Sequence, residues 1–229
     1  MRNNRSGLLL LVLVAMSCSD GTDEDGGNGG GLGATADMRV VGALQSATTI
    51  HVIVDGDSLF AVAPGGVSAT LPVPVGNRTV TLAPSGGTAI GSTWVMHFDE
   101  GQRYLLAASD SAGIAVPHVY GDTNAIPVAG KSKLRVIHAA GLAPPVDIWR
   151  TQPDFPTLIR VMFPFAFGAE SPYLLSDPGD WSIVVTPEGQ TDTLYATGSF
   201  TVGAGKLVTV VVMDSTASGG VSAVVVPDN

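Results

Sequence analysis

Beyond residue 36 the apolar positions of this chain fall in short, β-branched runs broken by Gly, Pro, Asn and Asp. Thr79-Val80-Thr81-Leu82 alternates polar and apolar, the two-residue period of a strand with one wet face. Leu207-Val208-Thr209-Val210-Val211-Val212-Met213 is almost continuously apolar, which fits a central strand. Asp55-Gly56 between two such runs is a hairpin signal. No stretch after the first 18 residues holds a helical period for three turns. About seven short strands at this spacing predict an all-β chain built as β-sandwiches of immunoglobulin-like type, without the Cys-Trp-Cys hallmark of true immunoglobulin domains.

The pattern occurs twice. Met38-Arg39-Val40-Val41 matches Leu134-Arg135-Val136-Ile137, and Ile50-His51-Val52-Ile53 matches Val146-Asp147-Ile148-Trp149, both at an offset of 96. At an offset of 103, Gly65 and Ser68 match Gly168 and Ser171, and Gly76-Asn77-Arg78-Thr79-Val80 matches Gly179-Asp180-Trp181-Ser182-Ile183. Asp110-Ser111 matches Asp214-Ser215 at 104. Two tandem sandwich domains are therefore expected, at 37–121 and 134–229, joined by a linker at 122–133. A copy of this size is long enough to fold around its own core. The second copy holds seven extra residues between Trp149 and Gly168.

Leu134-Arg135-Val136-Ile137-His138-Ala139-Ala140-Gly141-Leu142-Ala143-Pro144-Pro145-Val146-Asp147-Ile148-Trp149 resembles the opening of a bacterial secreted-repeat family, domain of unknown function 4397. Phe167-Gly168-Ala169-Glu170-Ser171-Pro172-Tyr173 and Pro178-Gly179-Asp180-Trp181 resemble its later motifs. The second copy carries the resemblance more clearly, since the first has Gly42 where the second has His138. The resemblance implies a secreted, often lipid-anchored, all-β tandem protein. It brings no activity and no catalytic residues.

The amino-terminal pattern differs from the rest. Arg2 and Arg5 precede the apolar run from Leu8 to Met16, and Ser17 and the single cysteine, Cys18, follow it. A charged start, a short apolar stretch and a small residue before a cleavage point form a secretory signal. The run is shorter than the roughly 20 apolar residues that span a bilayer. Ala15-Met16-Ser17-Cys18 resembles the lipobox of bacterial lipoproteins, which implies cleavage after residue 17 and lipid on the Cys18 sulfur. The expected anchor is thus the membrane, reached through that lipid, and Ser19 after the cysteine leans toward the outer membrane. Residues 18–36 then form a Gly- and Asp-rich tether too poor in apolar side chains to order itself. A coil of that composition separates lipid from fold by about 23 Å.

Charge narrows the partners. Removing the leader takes away two arginines and no acid, leaving a net charge of −11. Phosphate backbones need clustered Lys and Arg, so nucleic acid is excluded as a partner. There is no G-x-S-x-G elbow, H-E-x-x-H, P-loop or C-x-x-C. Gly31-Leu32-Gly33-Ala34-Thr35-Ala36 fits a dinucleotide pattern, but no strand precedes it and no helix follows. The four histidines, His51, His97, His118 and His138, are not shared between copies, aligning with Asp147, Thr201, Ser222 and Gly42. No catalytic residue, metal site or cofactor is assigned.

What remains is surface. Asp154 to Phe167 holds four of the seven phenylalanines. It reads either as a longer hairpin filling the sandwich or the seam between copies, which is the favoured reading, or as an exposed loop that docks a partner. Phe155, Phe163, Phe165, Trp149 and Tyr173 are the candidate interaction residues. The chain is thus expected to be a non-catalytic envelope lipoprotein whose modules bind an envelope protein or a polysaccharide. One alternative is a carbohydrate-binding module stacking sugars on Trp149, Trp181 or Tyr173. Another is a hydrolase with an unrecognised triad.

Overall fold

A computed structural model describes residues 33–44, 48–85, 93–111, 114–122, 126–151, 158–215 and 220–228. Cys18, the tether up to residue 32 and Phe155 lie outside the described residues. Among the described residues no helix is long and apolar enough to cross a membrane.

The first half contributes β1 (Thr35–Ala43), β2 (Ile50–Val54), β3 (Asp57–Val62), β4 (Leu71–Pro74), β5 (Gly76–Pro84), β6 (Trp94–Phe98), β7 (Arg103–Ser111) and β8 (Ile114–Gly121). The second contributes β9 (Ser132–His138), β10 (Val146–Thr151), β11 (Ile159–Phe165), β12 (Leu174–Ser176), β13 (Gly179–Pro187), β14 (Tyr195–Ala196), β15 (Phe200–Val202), β16 (Leu207–Asp214) and β17 (Val221–Pro227). Two sheets form in the first half, ordered β3-β2-β5-β6 and β4-β1-β7-β8. The second repeats them as β11-β10-β13-β14, with β15 also on β13, and β12-β9-β16-β17. The protein is all-β and sandwich-built.

Register repeats as well. Met38 pairs with Tyr104 in β1–β7 and Leu134 with Val208 in β9–β16, and both pairs of strands are parallel. Ser68 and Ser171 hold their halves together identically: Val40 N and Val136 N donate to their hydroxyls at 2.8 and 2.9 Å. Asp55-Gly56 makes the β2–β3 turn, with positive φ at both residues (51° and 97°), as a two-residue hairpin of the primed type requires.

Strand periodicity then builds the layers. In β1, Met38 and Val40 enter the core of the first sandwich, whereas Val41 and Ala43 point the other way, into a separate apolar cluster with Leu105, Ala107, Tyr120, Ile137, Val211, Met213 and Val226. In β16, Val208, Val210 and Val212 enter the core of the second sandwich, and Val211 and Met213 the shared cluster. The inner sheets of the two sandwiches therefore pack face to face. Each is buried on both faces, which is why β16 is buried at every residue and reads as a continuous apolar run. Leu32–Asn229 forms one compact unit. At the join, Asp122 is buried and its N–H donates to Arg103 O at 2.6 Å, while Ser132 and Lys133 already belong to β9.

Close approach fixes Gly141 at the far end of this seam. A Cβ there would lie 1.7 Å from Asp110 O, where the end of β7 bridges to Ala140.

Candidate functional site

The seam closes at one end on charge. Arg39 of β1 and Arg135 of β9 share the face of their strands that carries Val41 and Ile137, so both guanidiniums enter the seam. Asp122, just past β8, bridges them, with Oδ2 2.7 Å from Arg39 Nη2 and Oδ1 2.6 Å from Arg135 Nη2. Asp228, just past β17, also pairs with Arg39, which in addition donates to Pro227 O. Arg135 donates to Gly121 O at 2.7 Å, to Glu170 Oε2 at 3.0 Å and to Thr209 Oγ1 at 3.0 Å. The Tyr173 hydroxyl lies 3.0 Å from Asp122 Oδ1 and 2.8 Å from Asp228 Oδ2, and its ring lies under the Arg135 guanidinium at 4.5 Å. Burial, then the Asp122 charge, pushes the Asp228 carboxyl above its ordinary value, opposed by Arg39. Burial, then the Asp228 charge, pushes the Tyr173 hydroxyl far up. A cleft of about 440 Å³ opens over this cluster, lined by Gly121, Arg135, Glu170, Ser171, Pro172 and Tyr173. Its charged groups are spent on one another. The arrangement clamps two sheets, and the Tyr173 and Thr209 hydroxyls are tied into it by their bonds to Asp228.

A second cluster lies on the outer face of the second sandwich. Val146 and Ile148 of β10 enter the core, so Asp147 and Trp149 lie on the outer face. Arg160 of β11 stands directly across from Trp149, its guanidinium 5.6 Å from the indole and 4.0 Å from the Phe163 ring. Asp147, 1% exposed, holds Arg160 Nη2 at 2.5 Å and accepts Gly189 N at 3.0 Å. The Trp149 indole N–H donates to Thr186 Oγ1 at 3.0 Å.

The candidate residues separate accordingly. Phe163 is exposed, at 62%. Phe165 is fully buried in the second core, which removes it from any interaction surface. Two residues on, Phe167 packs edge-to-face against His118 of β8 at 4.8 Å, in the seam. The described phenylalanines Phe163, Phe165 and Phe167 thus serve surface, core and seam in turn. Register slips in β10–β11 between Val146 and Trp149 put Phe163 out of phase with a simple alternation. Trp149, on β10, and Tyr173, just before β12, are half-buried, and Trp181 is 8% exposed with Arg150 5.2 Å over its ring. No groove of three coplanar rings forms from Trp149, Trp181 and Tyr173. Asp147 and Arg160 were not singled out from sequence; an aligned position that changes from His51 to Asp147 opposite an aromatic was the available signal.

The histidines do not converge. Burial pushes His138 below its ordinary value, with a backbone hydrogen bond at Pro144 opposing, and its Nδ1 accepts Ala140 N at 3.2 Å. Burial also lowers His118. His51 Nδ1 meets Ser58 Oγ at 2.9 Å on an exposed sheet face, and His97 lies between Asn77 and Asp99. Among the described residues no group of three His, Cys, Asp or Glu side chains could hold a metal ion.

Fold and site together define an all-β double sandwich with a sealed ionic seam. The profile of a domain of unknown function, DUF4397, matches residues 36–149, and the chain belongs to that family. The match covers the first half and runs through β9 into β10, whereas the motifs at Phe167–Tyr173 and Pro178–Trp181, which carried part of the resemblance, fall beyond it. No curated protein matches the chain. Among solved structures the chain is similar to a streptococcal family 41 carbohydrate-binding module described for alpha-glucan recognition, at 11% identity over 81% of this chain and 96% of that one, with a TM-score of 0.25. It is similar to a streptococcal virulence factor described for alpha-glucan binding, at 9% identity over 72% and 88%, with a TM-score of 0.24. A leucine-rich repeat protein from Bacteroides thetaiotaomicron matches at 14% identity over 80% of this chain and 26% of that one, with a TM-score of 0.22. Likeness at this level does not extend to a ligand.

Proposed function

We propose that this protein is a non-catalytic cell-envelope lipoprotein. Lipid on Cys18 holds it at the outer membrane, and a Gly- and Asp-rich tether sets the double sandwich off from the bilayer as a binding body. The observation that carries the non-catalytic reading is the seam cluster, the densest convergence of charge among the described residues. There the Asp122 and Asp228 carboxylates, and the Tyr173 and Thr209 hydroxyls bonded to them, are engaged in holding Arg39 and Arg135, which supports a structural rather than a catalytic role for the cluster. The anchor rests on Ala15-Met16-Ser17-Cys18. A diacylglyceryl thioether supplies two acyl chains, which hold a protein stably where one chain holds it marginally.

Mass spectrometry of the protein made in a bacterial host tests the anchor. The expected species begins at Cys18 and carries acyl mass, and Cys18→Ser leaves the leader uncut. A mature chain without acyl mass would remove the anchor. A hydrolytic activity abolished by a single polar substitution would remove the non-catalytic reading.

A further inference from the structure

We infer that the outer face of the second sandwich, at Trp149, Arg160 and Phe163, is a binding site for a neutral polysaccharide. The inference rests on the binding-body reading above and names its ligand class.

Three observations carry it. The first is a rigid aromatic platform. Phe163 stands 62% exposed with a guanidinium 4.0 Å from its ring, and that guanidinium is locked by a carboxylate 1% exposed. A side chain pinned in this way loses little entropy when a ligand arrives. A pyranose ring offers a flat patch of weakly positive C–H groups, which packs on the negative face of an aromatic ring. Sugar hydroxyls on adjacent carbons match the planar fork of an arginine; Arg160 lies over one face of the Phe163 ring and remains one-third exposed, so the sugar is taken on the opposite face.

The second observation is asymmetry between halves. The positions equivalent to Asp147, Trp149 and Arg160 are His51, Ile53 and Ser58, as the strand pairing shows. The first half keeps the sheet and lacks the platform. Folding alone therefore does not demand an aromatic, an arginine and a buried acid on this face.

The third observation is charge. A net charge of −11 after removal of the leader repels anionic polymers and anionic lipid. An ion pair inside the patch also opposes insertion into hydrocarbon. Strand addition by a peptide at β11, the sheet edge, is hindered by Pro164 and the slipped register. An uncharged chain of hydroxyl-bearing rings meets none of these penalties.

Affinity electrophoresis of the full chain in detergent tests the site. Gels carry soluble amylose, dextran or galactomannan as neutral polymers, and alginate as an anionic one. Wild type should be retarded by at least one neutral polymer and not by alginate. Phe163→Ala should weaken retardation about tenfold or more, as loss of an aromatic anchor does, with an unchanged urea midpoint because the side chain is exposed. Phe163→Tyr should keep binding, and Arg160→Lys should weaken it. Absence of retardation in all neutral gels, retardation by alginate alone, or equal retardation of Phe163→Ala would overturn the site. If Cys18 is acylated and no neutral polymer binds, the ligand class fails while the envelope reading stands. If the polymer binds a chain that is never acylated, the site stands and the anchor fails.

Discussion

The two halves share one framework and differ in how they are fitted out. The inner-sheet strand order, the parallel pairs and the Ser68 and Ser171 clamps repeat in register, while the outer sheet carries β14 and β15 on β13 where the first half has β6 on β5. The arginines Arg39 and Arg135 repeat too, because the seam needs both. Around them the halves diverge. Thr209 gives Arg135 Nε an acceptor at 3.0 Å. Its equivalent in the first half is Leu105, and Arg39 Nε is buried without a hydrogen-bond partner among the described residues. Tyr173 and Glu170 line the cleft where Thr70 and Val67 stand in the first half. The seam is thus constrained from both sides, while the outer faces and the cleft rim are free to specialise, and the second half has done so.

The comparison can be broken most severely at Asp122, which bridges both arginines. Asp122→Ala leaves Arg39 with Asp228 and Arg135 with the half-exposed Glu170 as their remaining carboxylates, and should cost about 3 kcal/mol, the lower end for breaking a buried pair from one side. Urea denaturation reads it, and a loss under about 1 kcal/mol would contradict the clamp. Next comes Gly141→Ala, which drives a Cβ to 1.7 Å from a backbone oxygen and should cost about 2–3 kcal/mol by overpacking. Thr209→Val sharpens the contrast between halves. It removes little volume but takes the acceptor from Arg135 and the donor from Asp228, for a cost of about 1–2 kcal/mol. Leu105→Val, at the equivalent position, should cost about 1 kcal/mol through lost packing alone. A double-mutant cycle with Asp228→Asn should couple to Thr209→Val and not to Leu105→Val.

The smallest effect is a pH dependence from His138. Burial holds its imidazole below the ordinary value of 6.5, so in that range the unfolded chain binds a proton that the native state refuses. Stability therefore falls as pH drops below 6.5 toward the native value. NMR should find the His138 ring neutral at a pH where free histidine is half-protonated. A ring that charges at 6.5 in the intact fold would contradict the assignment.

How much of this was legible in the chain depends on range. The β16 run, the Asp55-Gly56 turn and the repeat of Arg39 at Arg135 are local patterns, and each became the element it suggested. The seam was not legible, because its ion pairs join residues 83 and 189 positions apart and leave no periodic trace. Asp122 read as the start of a linker, although it is the residue on which the clamp turns. The Phe-rich insertion defeated the period-two rule for a physical reason: a slipped register turns Phe163 outward and Phe165 inward within three residues. Arg160 carried no signal until β11 was laid against β10, which set it across from Trp149 and beside Asp147.

The central claim is that two sandwiches fold and unfold as one body. The three tryptophans permit a direct test, with Trp94 in the first half and Trp149 and Trp181 in the second. Urea unfolding of Trp94→Phe reports the second half by fluorescence, and unfolding of the Trp149→Phe, Trp181→Phe double variant reports the first. Each midpoint should coincide with that of the same protein's far-ultraviolet circular dichroism, in a single transition. A far-ultraviolet curve that resolves into two steps, each tryptophan set following a different one, would contradict it.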